Sequence, residues 1–234
     1  MKQLFWDQLL YLWQIIKQRL LFWLILISLA IVLSNIPFSA NPHYSVFTFF
    51  FAGVDFITIH LPINWFIYFI IPMLIMLNSF RQLWHARVIQ LRGLQYSART
   101  YAKINIELLG LISLVYVLIT ESIQTLCTLL LQLPMLRINY LSGVETLGLN
   151  CLVNWLGILW LLLLQAIINH FNAPLGIIIP ITLLIVTVYT LWKNNPLNSL
   201  MLLRINQNNI ISLVITTIIT AFIYLLVERH TNFE

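Results

Sequence analysis

Charge is what this chain has least of. Only 8% of its 234 residues are Asp, Glu, Lys or Arg, against about 25% in an ordinary soluble domain. A water-soluble domain needs a charged surface, and this composition cannot supply one. The shortage excludes a soluble globular enzyme, a disordered segment and a nucleic-acid-binding domain. Acid is scarcer than base, 7 residues against 12. The resulting net charge of +5 does not imply nucleic acid, because the cations sit where membrane topology places them. Glycine is short as well: 7 residues, where a usage of about 7% would give about 16. So little glycine leaves little sign of close G-x-x-x-G packing or of unwound ion sites in mid-span.

Catalytic motifs are missing too. No glycine is followed by lysine, so there is no G-x-x-x-x-G-K-[ST] loop to cradle ATP phosphates. H-E-x-x-H and G-x-S-x-G are absent, which removes the corresponding metalloprotease and hydrolase chemistry. The five histidines (His43, His60, His85, His170, His230) fall at span ends or outside spans. A haem-carrying helix would hold them deep within a span, so they read as interfacial residues. Cys127 and Cys151 are the only cysteines. They lie near the outer ends of spans three and four, where a bridge is geometrically open but two small apolar packers are the commoner arrangement.

What is present is hydrocarbon. Hydrophobic residues make up 61% of the chain and the mean hydropathy is +0.93. A membrane helix needs about 20 apolar residues, and six such runs stand out: 20–38, 63–80, 106–128, 149–169, 175–192 and 210–227. No internal repeat is visible, and one transmembrane domain fills the chain. With six spans and both termini in the cytoplasm, Lys2, Lys17, Arg19, Arg81, Arg87, Arg92, Arg99, Lys103 and Arg229 lie inside, and Arg137, Lys193 and Arg204 outside. This distribution satisfies the positive-inside bias. The run 46–59 is apolar but short and carries Asp55. Making it a seventh span would invert one of the basic clusters, so 46–60 reads as an outer, interfacial or re-entrant segment.

Before the first span, residues 3–18 show helical periodicity. Gln3, Asp7, Gln14 and Gln18 share one face; Phe5, Leu9, Leu12 and Ile16 share the opposite one; Trp6 and Trp13 flank them. The pattern predicts an amphipathic helix lying in the interface. The plainer alternative is a long first span with a frayed start.

Between spans two and three, 81–105 carries five basic residues up to Lys103 and no acid in that stretch. Leu83, Trp84, Val88, Ile89 and Leu91 keep roughly helical spacing, so span two is expected to continue as a helix into the cytoplasm until Gly93 breaks it. A plain electrostatic anchor would not need these apolar residues, whereas a docking hairpin would.

Polar residues inside the spans are few. Glu121, Thr125, Thr128 and Gln132 lie on one face of span three, with Gln124 adjacent. An intramembrane carboxylate defaults to a functional reading. Depth competes with it: about 20 residues from Ile106 reach about residue 126, near the outer interface, where Glu121 could be solvated or paired with Arg137. Span six carries Ser212, Thr216, Thr220 and Tyr224 at steps of four. Such hydroxyls line a path, join helices, or bond inertly to their own backbone, and packing is the favoured reading. The apolar 197–203 stretch is expected to form a short helix lying at the outer interface.

The hairpin carries a resemblance. Val88-Ile89-Gln90-Leu91-Arg92, then Gly93, Ser97-Ala98-Arg99, Tyr101 and Lys103 partly match the pattern between spans two and three of ABC type-2 exporter permeases. The layout as a whole resembles that family, including its small bacterial members linked to bacteriocin or lantibiotic export and immunity. The resemblance implies an all-α integral membrane protein of six spans after an interfacial helix, in a bacterial plasma membrane. It implies a second permease, identical or related, and two copies of a cytoplasmic ABC ATPase that binds ATP and Mg. Arg87, Arg92, Gln95, Tyr96, Arg99 and Lys103 would dock that ATPase. Glu121, Thr125, Thr128, Thr216 and Thr220 would line a path for peptide, lipid or other amphipathic cargo. The chain itself would be neither an enzyme nor a cofactor binder; its other contact would be membrane lipid, not nucleic acid. The alternatives are an ATP-independent secondary transporter and a membrane assembly protein that transports nothing.

Overall fold

A computed structural model describes residues 2–35, 46–54, 61–79, 82–83, 98–132, 143–190 and 192–230. No strand occurs among these residues. The helices are α1 Lys2–Asn35, α2 Val46–Phe51, α3 Ile63–Ile75, α4 Ala98–Leu130, α5 Gly143–Phe171, α6 Leu175–Tyr189 and α7 Gln207–His230, with a 3₁₀ helix at Pro196–Leu200 before α7. Each of the six expected spans contains a helix. Four stretches are long and apolar enough to cross a membrane: Gln3–Leu33, Arg99–Leu130, Glu145–Phe171 and Gln207–Glu228. Helices α3 and α6 have 13 and 15 residues, about 20 and 22 Å at 1.5 Å per residue, short of a hydrocarbon core of about 30 Å.

Helix α5 occupies the centre, packed against α3, α4, α6 and α7. Its consecutive Leu161, Leu162 and Leu163 are all fully buried, as expected of a helix apolar on every side. Helices α1 and α7 are one-sided. On α7, Ile211, Ile215, Ile218, Ile219 and Phe222 face outward. So wide an apolar exterior suits lipid rather than water.

Two expectations change here. Residues 3–18 are not an element separate from the first span; α1 is one helix from Lys2 to Asn35. The physical reason is a continuous buried stripe, Leu4, Gln8, Leu12, Ile16, Leu20 and Leu24 at steps of four, which gives the chain no place to turn. Trp6 and Trp13 are exposed opposite it. Span two is also shorter than 63–80. Helix α3 ends at Ile75, followed by a turn in which Asn78 adopts φ 60°, so it does not run on unbroken toward the basic loop.

The short helices end inside the protein, and side chains from other elements close them. A helix leaves its last carbonyls without partners, and at membrane depth water cannot serve. In α3, Pro72 has no N–H for the carbonyl of Tyr68, and the Tyr116 hydroxyl donates to that oxygen at 3.0 Å. Gln165 Nε2 donates to Met73 O at 3.1 Å, and Arg19 Nη1 donates to Leu77 O. In α6, Thr190 N donates to Val186 O at 2.9 Å. Arg204 donates to the next two carbonyls, Thr187 O at 2.8 Å and Val188 O at 3.1 Å.

Most of the stretch 197–203, expected to lie at the outer interface, instead dips into the bundle. Pro196 through Met201 are buried. Leu200 packs on Gly157 at the middle of α5, and its carbonyl accepts from Trp65 Nε1 at 2.8 Å. The segment also meets the end of α2: Leu202 N donates to Phe51 O at 2.7 Å and Leu203 N to Ala52 O at 3.1 Å. Of the expected outer segment 46–60, the described part, 46–54, is therefore buried against protein through Phe47, Phe50, Phe51 and Val54. Irregular backbone persists at such depth only where protein covers it.

Candidate functional site

Two polar nodes tie the helices together, and α4 contributes to both. The first is built on Glu121. Its Oε1 accepts from Asn150 Nδ2 at 2.7 Å and from Asn154 Nδ2 at 2.9 Å. The two asparagines are four residues apart on α5 and so share a face. Glu121 is 7% exposed, Asn150 4% and Asn154 1%. The carboxylate is therefore largely withdrawn from solvent and is held between helices by amide donors. Arg137, its alternative partner, lies outside the described residues.

Around this carboxylate the interior stays polar. Thr120 donates to Tyr116 O at 2.9 Å and Val117 O at 3.0 Å. Its hydroxyl is thereby committed as a donor, so the 3.1 Å contact with Tyr68 is donation by Tyr68. Tyr68 meets Phe51 edge-on at 4.8 Å, linking the node to the buried end of α2. One turn along α4, Gln124 is fully buried, and neither atom of its amide has a partner. Thr125 donates to Glu121 O and Thr128 to Gln124 O, both at 2.8 Å. Their hydroxyls bond to their own helix four residues back.

The second node joins α4, α5 and α7. Glu228 Oε1 accepts from Tyr224 Oη at 3.0 Å and faces His170 Nε2 at 3.0 Å. Asn105 Nδ2 donates to Tyr224 Oη at 3.1 Å. Asn105 and Glu121 are sixteen residues apart on α4, which places the nodes about 24 Å apart along that helix. Interhelical hydrogen bonds in membranes contribute about 0.6 kcal/mol each on average, up to about 1.7, so each node fixes helix register more than it sets overall stability.

The remaining expected site residues divide. Thr216 donates to Ser212 O and Thr220 to Thr216 O, both at 2.8 Å. Thr220 also accepts from Trp160 Nε1 at 2.9 Å, which joins α7 to α5. No hydrogen bond links Thr216 or Thr220 to Glu121. Arg99 and Lys103 are exposed on the first turns of α4, while Tyr101, Ala102 and Ile104 on its other face are buried. Arg87, Arg92, Gln95 and Tyr96 lie outside the described residues. Cys127 and Cys151 are both free thiols.

Sequence reasoning missed Asn150, Asn154 and the Glu228 node. The signal for the first was available: two asparagines four apart inside an apolar run are costly unless they meet a partner. His170 was legible only as an interfacial residue, because its partner Glu228 lies 58 positions away. Among the described residues no three His, Cys, Asp or Glu side chains cluster as a metal site would require. No family model, no curated protein and no solved structure matches the chain.

Proposed function

We propose that this chain is the membrane-spanning permease subunit of an ATP-driven ABC exporter of the type-2 kind. In this reading it makes six crossings with both termini in the cytoplasm of a bacterial cell. It moves peptide, lipid or other amphipathic cargo outward, beside a second permease and on two copies of a separate ATPase. Helices α3 and α6 complete their crossings with the buried segments that adjoin them.

The observation that carries the reading is α4. It is a single helix of 33 residues. It begins at exposed Arg99 and Lys103 and continues through Asn105 of one node to Glu121 of the other. A rigid rod of this kind, cationic and exposed at one end and wedged among polar contacts at the other, passes a push at the cytoplasmic face to the far side of the bilayer.

Reversing both charges, Arg99→Glu with Lys103→Glu, is expected to cut ATPase co-purification and coupled hydrolysis by about tenfold or more, since like-charge contacts at a docking surface cost several kcal/mol. Both side chains are exposed, so helix content and detergent elution should stay as they were. Full coupling in the double variant would overturn the docking role. A secondary transporter remains the second reading, favoured by the buried carboxylate at Glu121, and a protein that turns over without any ATPase would select it.

A further inference from the structure

We infer that the Glu121 node is a binding site for a small monovalent cation of the sodium class, held by one carboxylate and the amide oxygens beside it. This goes beyond the permease reading and does not depend on an ATPase. The argument begins with charge. Glu121 is buried, and its hydrogen bonds come from two neutral amides. Neutral donors soften the cost of burying a negative charge, but they do not cancel it.

Donors and acceptors point the same way. Both amide donors fall on Oε1, leaving Oε2 to other company. Asn154 Oδ1 belongs to an amide that touches the carboxylate, yet it is buried with no donor of its own. Gln124 Oε1, one turn along the same helix face, is buried and without a donor as well. Gln124 Nε2 is unpartnered too, but a neutral amide donor does not balance the carboxylate's charge; a hard cation would satisfy the charge and the two amide oxygens together. Buried acceptors of this kind are rare in native proteins and each calls for a partner.

Size and valence narrow the ligand. Asn154 is 1% exposed and Gln124 0%, so the ligand is a bare ion rather than an organic headgroup. One carboxylate balances one positive charge. A divalent ion would leave an excess charge in a low-dielectric interior, which is costly. The arrangement also differs from the unwound-helix ion sites that scarce glycine argues against: these ligands are side chains of two intact helices, α4 and α5.

The test uses the purified full-length chain in detergent, with thermal unfolding followed in sodium chloride and in choline chloride at equal ionic strength. Sodium is expected to raise the unfolding midpoint by on the order of 3 °C at saturating concentration, and Glu121→Gln is expected to abolish the difference. Asn154→Asp adds a second carboxylate and should confer a stabilisation by calcium that the parent lacks; it carries the test where Glu121→Gln does not fold. Equal midpoints in sodium and choline would overturn the site. So would a sodium response that survives Glu121→Gln, or an Asn154→Asp chain indifferent to calcium. A dependence on pH alone, with none on sodium, would assign the node to a proton and equally overturn the proposal. Loss of ATPase docking has no bearing on these readings, so failure of one proposal is distinguishable from failure of the other.

Discussion

Replacing Arg204 by Met lowers the stability of the purified protein by about 3 kcal/mol, the net of the two opposing effects that follow. The guanidinium is 3% exposed and donates to two carbonyls in the last turn of α6. Methionine fills much of the same space and removes both donors. The carbonyls of Thr187 and Val188 then lie buried without these bonds. Each hydrogen bond to a charged donor contributes about 1.5–3 kcal/mol, and an abandoned buried acceptor costs about 1–3 kcal/mol. Against this stands the relief of no longer burying a charge. The loss wins because the oxygens are fixed by the helix and have no water to turn to. Arg204→Lys should lie between the two, since one ammonium is a compact donor and cannot span two carbonyls as the planar fork does. Unfolding in a denaturing-detergent titration measures the order wild type, Lys, Met. A Met variant as stable as the parent would show that other groups close α6.

Gly53→Val is the second large effect, with an expected loss of about 4 kcal/mol. Gly53 has φ 69°, in the left-handed region where an L residue costs about 1–2 kcal/mol and a β-branched one more. A Cβ there would sit 2.4 Å from Met201 Cγ and 2.6 Å from Met201 Cβ. The second atom is fixed to the backbone, so the clash cannot be relieved by rotating a side-chain tip. Overpacking of this sort costs about 1–3 kcal/mol. The damage falls where Leu202 and Leu203 donate to Phe51 and Ala52, so the two buried segments should separate together. Gly110 supplies the control. A Cβ at Gly110 meets nothing within 4 Å, and Gly110→Ala in mid-helix should leave stability unchanged or raise it by about 0.5–1 kcal/mol. Increased proteolytic nicking near 46–54 in Gly53→Val, absent in Gly110→Ala, is the accompanying readout.

The rule behind both effects extends across the bundle. Wherever a helix stops short, a distant side chain completes it: Arg19 and Gln165 at α3, Arg204 at α6. Pro72 fits the same rule, because Tyr116 supplies the hydrogen bond that the proline removes. In water such gaps are filled by solvent. In a bilayer they require protein groups, and Tyr116, Gln165 and Arg204 supply them here from buried positions.

Much of this fold was legible in the residues. Each of the six apolar runs holds a helix, and the central place of α5 agrees with its apolar character on all sides. The candidate site was legible in part. Glu121 stood out because a carboxylate in an apolar run is conspicuous, and Gln124 lay on the same face. Its partners were not visible, since nothing in the periodicity of 149–169 says that Asn150 and Asn154 face span three rather than another helix. The stretch 197–203 misled for a related reason. Its leucines and methionine suit an interface and a protein interior equally, and only burial on Gly157 distinguishes them.

The sequence by itself determined the solvent, the helical character and the places where helices could form, because these depend on composition and on the free energy of local runs of residues. Tertiary structure decided which helices stop inside the protein and which side chains close them. It also decided that Glu121 is held by asparagines rather than by water. Those outcomes rest on groups far apart in the chain: 58 residues for Arg19 and Leu77, 29 for Asn150 and Glu121, 17 for Arg204 and Thr187. Helical periodicity describes neighbours three and four residues apart, whereas a buried polar group takes whatever partner the packing brings to it.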